Sequence, residues 1–250
     1  MPLYQVRKAS ASQQACRASK QNGGVGHAPF VTGIPICIFA KPPVPGRVKT
    51  RLAQSIGPAQ AAKLAAAMLR DVWSVVATLT GVVPVLAAAQ AGSFGIDVPA
   101  ERVWLQQQSG DLGLRIECIL RRGLETAAAV VALGADTPLV TAVHLRQAID
   151  CLKSGDAVVG PCDDGGFYLL GVRRCPPGLL FGINWSTEHT LRETELRLRA
   201  HAMNTARIPT VFDVDTVADL QRLCSELRNL PPEIAPQTRQ WLDETAWSAS

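Results

Sequence analysis

The segment from Lys41 to Arg51 is the first place in this sequence where side chains could carry out chemistry. Its residues KPPVPGRVKTR contain four cations (Lys41, Arg47, Lys49 and Arg51), and three prolines with one glycine restrict its conformations. Lys and Arg side chains, together with backbone amides, can hold the oxygens of a polyphosphate. The G-K-[ST] spacing of a Walker loop is absent. The segment therefore predicts a phosphate-binding loop of another kind, with a solvated basic surface as the alternative.

Carboxylates in two later segments could hold a metal ion beside such a phosphate. Asp136 lies in GADTP, and Asp213 and Asp215 lie in DVDT, where an extended backbone would place both on one side. One of this pair could reach a metal while the other caps the helix predicted from Thr216. Mg²⁺ binds one or two carboxylates and completes its shell with phosphate and water. Each aspartate could also merely cap a helix or start a turn, so only the combination with the cations predicts metal-assisted phosphate chemistry.

Two glycine-containing segments could contact the substrates. The segment QSGDLG opens a predicted helix, so the backbone amides of Gly110, Asp111 and Gly113 could meet an anion or the edge of a base. The segment GPCDDGG lies between two predicted strands, and Gly165 and Gly166 would let a ligand approach the backbone closely. Its two aspartates could bind acceptor hydroxyls or a second metal, although the segment also suits an ordinary turn.

Predicted strands alternate with predicted helices from Ile34 onward. The predicted strands cover 34–40, 82–88, 103–106, 128–133, 157–159, 167–172 and a short stretch that ends at 211–212. The predicted helices cover 58–79, 111–126, 141–152, 186–201 with Ser186 as N-cap, 216–227 and 233–241. This alternation predicts an α/β sandwich with a mostly parallel sheet. Ligands bind outside the carboxyl ends of such strands, which is where the charged segments fall.

The composition excludes several other classes of protein. A hydrophobic content of 47% with 18% charged residues is that of a globular chain, and no apolar run approaches the length of a membrane span. Seven dispersed cysteines without a C-x-x-C pair argue against a disulfide framework or a zinc site, so we expect a reduced, cytoplasmic protein. Aromatic residues make up only 5% and do not interleave with the basic segment, which disfavours nucleic-acid binding.

The charges are distributed unevenly along the chain. No acidic residue precedes Asp71, although ten basic residues lie between Met1 and Arg70. Residues 1–33 lack apolar periodicity, so we expect a disordered N-terminal tail, or alternatively a transit peptide, before one domain over 34–250.

Six blocks of the sequence resemble those of a known family. They are, in order, FAKPPVPGRVKTRL, QSGDLGLR, LGADTPLV, GPCDDGGFYLLGV, INWST and FDVDTVADL, and they lie between about Ile34 and Leu223. They resemble the signature blocks of the selenodomain/radical-SAM-associated transferase family, within the nucleotide-diphospho-sugar transferase superfamily. The resemblance implies a single-domain, GT-A-like (Rossmann-like) three-layer sandwich that uses a nucleotide.

The resemblance also implies roles for individual residues. Asp136 and Asp215 correspond to metal ligands, Lys49 and Arg51 to a phosphate-binding loop, and Gly165 with Gly166 to the acceptor side. Some members of the family are called glycosyltransferases, and the blocks are also similar to those of 2-phospholactate and molybdenum-cofactor guanylyltransferases. The basic segment is not of the L-A-G-G type and Asp136 is not part of a D-x-D, which disfavours a standard sugar donor. Four cations suit a triphosphate.

Together, the residues and the resemblance predict a transferase that depends on Mg²⁺ (or Mn²⁺). It would move a sugar or nucleotidyl group from a nucleoside triphosphate or nucleotide-sugar donor to a small acceptor, without a nucleic-acid or membrane partner. A non-catalytic nucleotide-sensing module is the alternative. The candidate residues are Lys49, Arg51 and Asp136 for catalysis; Ala40, Lys41, Gly46, Arg47, Lys49, Arg51, Gly110, Asp111 and Gly113 for the nucleotide; Asp164, Gly165 and Gly166 for the acceptor; and Asp136 and Asp215 for the metal.

Overall fold

A computed structural model describes residues 33–106, 110–245 and 247 of the chain. Within these residues, seven strands form one sheet. The strands are β1 (Ile34–Ala40), β2 (Val82–Ala88), β3 (Val103–Leu105), β4 (Val130–Gly134), β5 (Ala157–Pro161), β6 (Phe167–Val172) and β7 (Thr205–Arg207). The helices are α1 (Thr50–Ile56), α2 (Pro58–Ala77), α3 (Leu112–Leu124), α4 (Ala142–Ser154), α5 (Thr190–Ala200), α6 (Val217–Arg228) and α7 (Pro236–Glu244).

The sheet has the strand order β3-β2-β1-β4-β6-β5-β7. Four of its six strand pairs are parallel, and the two pairs made by β6 are antiparallel because β6 returns from β5 after a short loop. Phe39 of β1 lies opposite Gly134 of β4, so these two parallel strands end level with each other. The segments that follow β1 and β4 therefore start side by side, and the predicted α/β fold class with a mostly parallel sheet is confirmed.

Helices cover both faces of the sheet and make it the middle of three layers. Alternating β1 residues point to opposite faces: Ile36 and Ile38 pack into a core with α1, α2, α4, α6 and α7. Cys37 packs on the other face, into a core with α3 and α5. A strand covered on both faces reads as a continuous apolar run, as IPICIFA does. No helix among the described residues is both long enough and apolar enough to cross a membrane.

Three local predictions differ from the structure. The first concerns the basic segment, for which the sequence predicts a loop throughout: the segment ends in α1, whose first residue is Thr50 and whose Leu52 is fully buried. Burial of this leucine in the core stabilises a short helix that the composition of the segment does not predict.

The second difference is the start of α5. Ser186 has a left-handed backbone (φ 61°) and does not cap the helix, which begins at Thr190. The hydroxyls of Thr187 and Thr190 both donate to the carbonyl of Asn184 at 2.9 Å. These local side-chain hydrogen bonds compete with the backbone bonds of a helical turn at 187–189, so the helix begins later in the sequence.

The third difference concerns the strand expected to end at Val211–Phe212. The last strand is instead β7, and Pro209 follows it, where the missing N–H interrupts a ladder. The chain still runs beside β5, because Ile208 and Val211 donate to the carbonyls of Val159 and Pro161. The carboxylates that follow are thereby delivered to the same edge of the sheet as predicted. The predicted N-terminal tail lies, apart from Gly33, outside the described residues, as do Gln108 and Ser109 of the QSGDLG segment.

Candidate functional site

Lys49 joins the two aspartates that were predicted to bind a metal. Its Nζ lies 3.0 Å from Oδ2 of Asp136 and 2.6 Å from Oδ1 of Asp215. Asp136 lies two residues beyond β4, and the N–H of Val214 donates to the carbonyl of Asp136 at 3.1 Å, which holds the two acidic segments together. The Lys49 side chain is 9% exposed and the two carboxylates are 40% and 43% exposed, so the charges meet at the floor of an open site.

The backbone of Lys49 is strained. Its φ and ψ are both 46°, a left-handed conformation that is uncommon for a residue with a Cβ. Such a conformation costs roughly 1–3 kcal/mol and persists where the surroundings fix it. Here Leu52 anchors α1 on one side and two ion pairs hold the Lys49 side chain on the other. The basic segment therefore presents Nζ to the carboxylates in a fixed position.

The ionisation of the cluster follows from this contact. Burial alone lowers the pKa of Lys49, but Asp136 and Asp215 oppose it and raise the pKa to about 12. Burial likewise raises the pKa of Asp136, but the Lys49 ammonium dominates and holds that pKa below its usual value. Lys49 and Asp136 are thus charged across the physiological range.

Asp213 is a third carboxylate of this cluster. One ligand oxygen of each of Asp136, Asp213 and Asp215 can lie within 4.8 Å of the others, a spacing that suits one divalent cation. Burial, and then repulsion from Asp136, Asp164 and Asp215, raises the pKa of Asp213 to about 6. Three carboxylates face only one ammonium here, so their chemistry fits a hard divalent ion.

Neither Asp213 nor Asp215 caps a helix. The N-cap of α6 is Thr216, whose hydroxyl accepts from the N–H of Asp219, while the Asp219 carboxylate accepts from the N–H of Thr216. This capping box satisfies the first turn of α6. The two aspartates before it remain available for a ligand, and the alternative of two capping residues is wrong.

The other cations of the basic segment surround Lys49 without ion-pair partners among the described residues. Lys41, Arg47 and Arg51 are exposed, and Arg51 is on the first turn of α1. Gly46 has a left-handed backbone (φ 76°) with open space around its Cα, and Ala40 ends β1. These three charges are exposed and therefore available to an anionic ligand that binds near Lys49.

Residues 110–113 of the segment QSGDLG lie at the start of α3, as predicted, but they already have structural contacts. Asp111 is the N-cap, and its Oδ1 accepts from the N–H of Leu114 at 2.9 Å. A Cβ on Gly113 would lie 2.7 Å from the carbonyl oxygen of Leu180 and 2.9 Å from the indole of Trp185. Gly110 has φ 96°, which favours glycine. Close packing of α3 on the loop after β6 therefore explains why residue 113 is a glycine, and no ligand is needed for that explanation.

The loop between β5 and β6 is a turn with one face toward the acidic cluster. The Asp164 carboxylate accepts from the N–H of Gly166 at 2.8 Å, which closes the turn. Asp163 forms an ion pair with Arg222 of α6 at 2.5 Å. Gly165 has a left-handed backbone (φ 84°), and a Cβ at this position would collide with the backbone of the segment before α5. Asp164 stays near Asp213, because ligand atoms of Cys162, Asp164 and Asp213 also lie within 4.8 Å of one another.

Two features of the site were not among the predicted site residues. The first is Asp213 as part of the metal-binding group, for which the alternation of Asp213 and Asp215 was an available signal. The second is an apolar cavity of about 200 Å³ between the carboxyl ends of β1 and β4 and the start of α3. It lies on the face of the sheet that α3 and α5 cover. Four of its lining residues are aromatic, and we call it the aromatic cavity; they are Phe39, Phe167, Tyr168 and Trp185. The block INWST, which supplies Trp185, was the available signal for it.

Comparisons with known proteins show similarity to a bacterial protein family and to named transferases. The family model described as "Uncharacterized protein conserved in bacteria (DUF2064)" matches residues 63–187, which is half of the chain. A phosphoenolpyruvate guanylyltransferase from Chloroflexus aggregans is 28% identical over 196 residues, which cover 72% of this chain and 92% of that protein.

The structural comparison gives the same class. A provisionally named nucleotide-diphospho-sugar transferase from Desulfovibrio desulfuricans G20 is similar with a TM-score of 0.78 and 27% identity, over 86% of this chain and 96% of that chain. These similarities confirm the GT-A-like fold and the expectation that the chain is a transferase.

Proposed function

The chain belongs to the DUF2064 family of bacterial proteins, and we propose that it is a divalent-metal-dependent nucleotidylyltransferase. It would transfer the nucleotidyl group of a nucleoside triphosphate, with GTP as the first candidate, to a small acceptor. The similarity to a guanylyltransferase supports this reaction and this donor. The narrower membership, in the selenodomain/radical-SAM-associated transferases, remains a proposal that rests on the six sequence blocks.

One observation carries the proposal: Lys49 lies on two of three clustered carboxylates, and three further cations of its segment have no ion-pair partner among the residues that the structure describes. Three carboxylates could hold a divalent ion, and the cations could neutralise the phosphates of a nucleotide bound beside it. A triphosphate carries more charge than the diphosphate of a sugar donor, so it needs more neutralisation. The surplus of cations favours nucleotidylyl over glycosyl transfer.

The residues would divide the work as follows. Asp136, Asp215 and Asp213 would hold Mg²⁺ or Mn²⁺, which when bound polarises phosphate oxygens and neutralises their charge. Lys49, which the two carboxylates keep protonated in the metal-free protein, would donate to a phosphate oxygen of the bound nucleotide. The further groups proposed for the nucleotide are Ala40, Lys41, Gly46, Arg47, Arg51, Gly110, Asp111 and Gly113, and those proposed for the acceptor are Asp164, Gly165 and Gly166.

The reaction would be a single displacement at the α-phosphorus. An acceptor oxygen forms a bond to this phosphorus, the bond to the bridging α–β oxygen breaks, and pyrophosphate leaves with the electron pair. A hydroxyl acceptor gives its proton to water or to a nearby carboxylate, whereas a phosphate or carboxylate acceptor has none to give. Lys41, Arg47 and Arg51 would stabilise the charge that builds up on the leaving pyrophosphate.

Glycosyl transfer is a second candidate, because the structure from Desulfovibrio desulfuricans is named as a nucleotide-diphospho-sugar transferase. The two reactions differ in their products. Nucleotidylyl transfer releases pyrophosphate from a triphosphate, whereas glycosyl transfer releases a nucleoside diphosphate from a nucleotide sugar. The third candidate, a nucleotide-sensing module, releases neither.

The test incubates the protein with Mg²⁺ or Mn²⁺ and either GTP or a GDP-sugar, with a panel of small acceptors that includes phosphoenolpyruvate. We expect pyrophosphate from GTP and no GDP from the sugar donor. Asp136→Asn should lower the rate at least 100-fold, and Asp150→Asn, which changes an exposed aspartate on α4, should leave it unchanged. Release of GDP alone, or turnover that Asp136→Asn leaves intact, would refute the proposal.

A further inference from the structure

We propose that the acceptor carries a neutral ring and that this ring binds in the aromatic cavity; the inference rests on the proposed function. The cavity has a volume of about 200 Å³. An engineered cavity of about 150 Å³ suffices to bind benzene, so this one can hold a six-membered ring with a small substituent. Its walls come from Phe39 of β1, Leu112 and Ile116 of α3, and Phe167 and Trp185.

The walls of the aromatic cavity suit a ring in both shape and charge. The rings of Phe167 and Trp185 meet edge to face, with centroids 6.0 Å apart and an interplanar angle of 69°, and form an aromatic corner. No charged residue is present among the described residues that line the cavity. Burial of a charged group without a partner costs several kcal/mol, so the part of the ligand that enters must be neutral.

Trp185 is held in place before any ligand binds. Its indole packs on the backbone of Gly113, where a Cβ would come within 2.9 Å of the ring. Next to it, the backbone N–H and the side-chain amide of Asn184 both donate to the Glu193 carboxylate, at 2.6 and 2.8 Å. The indole N–H is buried and has no partner among the described residues. A rigid wall of this kind lowers the entropic cost of binding.

The position of the cavity favours the acceptor over the nucleobase as its occupant. Gly134 lines the cavity, and a Cβ on this glycine would lie 2.9 Å from Oδ1 of Asp136. The cavity thus begins at the metal-binding group itself. An acceptor must bring its reacting atom to about 3–3.5 Å from the transferred phosphorus, whereas a ribose separates a base from that phosphorus. Arg51 lies on α1, and α1 packs on the face of the sheet opposite to the aromatic cavity.

A ring-bearing acceptor would also distinguish this chain from the Chloroflexus aggregans guanylyltransferase. Phosphoenolpyruvate, the acceptor in the name of the Chloroflexus aggregans protein, is a small anion with a phosphate and a carboxylate. An uncharged aromatic cavity next to the metal-binding group would leave such an anion unpaired on that side. We therefore expect ring-bearing acceptors to be preferred over phosphoenolpyruvate.

Benzyl alcohol, a neutral ring with one hydroxyl, is the probe for the test, and propan-1-ol is its counterpart without a ring. Saturation-transfer NMR should show protein contact for the ring of benzyl alcohol and little for propan-1-ol, with and without GTP and Mn²⁺. Trp185→Leu should weaken probe binding at least tenfold. Trp247→Leu is the matched control, since Trp247 is also half-buried and also has an unpaired indole N–H, and it should change probe binding less than twofold.

A second measurement, the Tm shift given by GTP with Mn²⁺, separates the outcomes. A normal shift in Trp185→Leu shows that this variant is folded and places the ring outside the nucleotide site, as proposed. If guanosine displaces the probe and Trp185→Leu loses the GTP shift, the cavity holds the base and the inference is wrong. If the probe does not bind, or binds equally to Trp185→Leu, the inference is also wrong, although pyrophosphate release would still stand. Probe binding without any nucleotide shift would instead refute the proposed function and leave a ring site.

Discussion

At the scale of single residues, Lys49 determines the electrostatics of the site. In the metal-free protein it is the counter-ion of both Asp136 and Asp215, and it holds the pKa of Asp136 below its usual value. We predict that Lys49→Met lowers the free energy of unfolding by about 1–3 kcal/mol, less than for a fully buried pair because the carboxylates are partly exposed. Added Mn²⁺ should restore most of this loss, since the ion replaces the missing charge.

Urea unfolding with and without Mn²⁺ checks this prediction. Lys63→Met, which changes an exposed lysine on α2, is the control and should have little effect in either condition. A Lys49→Met protein that is as stable as the wild type without metal would show that the two ion pairs contribute nothing. A loss that Mn²⁺ does not reduce would argue against a metal at these carboxylates.

Asp213 gives the site a pH dependence with a definite sign. Its pKa in the folded protein is about 6, above the ordinary value of 3.8, so the folded state binds a proton that the unfolded state has already released. The contribution of Asp213 to stability is therefore fully present below about pH 4 and is lost as the pH rises to about 6. Asp213→Asn removes this loss, and it should make the metal-free protein about 1–2 kcal/mol more stable at pH 7.

The same change should weaken Mn²⁺ binding at least tenfold, because one of three carboxylate ligands is gone. Unfolding curves at pH 5 and pH 7 and a Mn²⁺ titration measure the two effects. Asp243→Asn, at an exposed position on α7, is the control. Equal stability of Asp213→Asn and wild type at both pH values would contradict the shifted pKa.

The sequence could predict the chemistry of these residues but not their contacts. Asp136 and Asp215 were identifiable as strand-end carboxylates, and the basic segment as a counterpart. The contact of Lys49 with them spans 87 and 166 residues along the chain. It also depends on a left-handed backbone at Lys49. The sequence does not predict this conformation, because the residue is not a glycine. Asp213 was visible as a neighbour of Asp215, but only the capping box of Thr216 and Asp219 shows that both carboxylates are free of the helix.

At the scale of elements, the turn between β5 and β6 is held against the segment before α5. The carbonyl of Gly165 accepts from the N–H of Leu191 at 2.8 Å, and a Cβ at Gly165 would collide with the backbone of Glu188. We predict that Gly165→Ala displaces this turn and lowers turnover at least tenfold, with a stability loss of about 2–4 kcal/mol from strain and overpacking.

Gly182→Ala is a matched control for this prediction. Gly182 has nearly the same left-handed backbone (φ 78°), but nothing lies within 4 Å of a Cβ built there. Its substitution should therefore cost only the backbone strain of about 1 kcal/mol. Thermal unfolding and kcat for the two variants measure the difference, and equal losses would show that the collision at Gly165 is relieved without consequence.

Elements differed in how well the sequence predicted them. The strands β1 and β2 and the helix α2 were placed within two residues of their observed ends, because they are long and apolar on the sides that meet the core. The helix α1 was missed, since three prolines and four cations obscure a single buried leucine. The start of α5 was placed four residues early, since a serine that looks like an N-cap is outcompeted by threonine bonds within the loop.

At the scale of the whole molecule, a buried carboxylate joins distant parts of the chain. Asp71 of α2 accepts from the N–H groups of Gln237 and Thr238 and from the Thr238 hydroxyl. It therefore caps α7 from across the core that α2 and α7 share. Asp71→Ala leaves these donors buried and unpaired, and we predict a loss of about 2–4 kcal/mol with faster hydrogen exchange in α7. Glu233→Ala, at an exposed position just before α7, should change neither quantity. Unchanged exchange in α7 would mean that its apolar face alone holds the helix.

The uneven charge of the chain has a local explanation in the fold. Cations from the acid-free first part of the sequence follow β1, and carboxylates from the acidic remainder follow β4 and β7. Because β1 and β4 are adjacent, parallel and level at their ends, opposite charges that are far apart in sequence meet at one edge of the sheet. The imbalance therefore brings cations and carboxylates to one edge of the sheet, where we propose that they bind phosphates and a divalent cation.

The most direct test of the account is the Tm shift that GTP produces in the presence of Mn²⁺, compared with GTP alone. The central claim is that Asp136, Asp213 and Asp215 hold a divalent ion that binds the nucleotide. A ligand that binds only the folded state raises Tm with its occupancy, so the wild type should show a shift of several degrees that requires both components. Asp136→Asn and Asp215→Asn should abolish it, and Asp150→Asn should retain it. A shift that is the same without Mn²⁺, or that survives in both site variants, would contradict the claim.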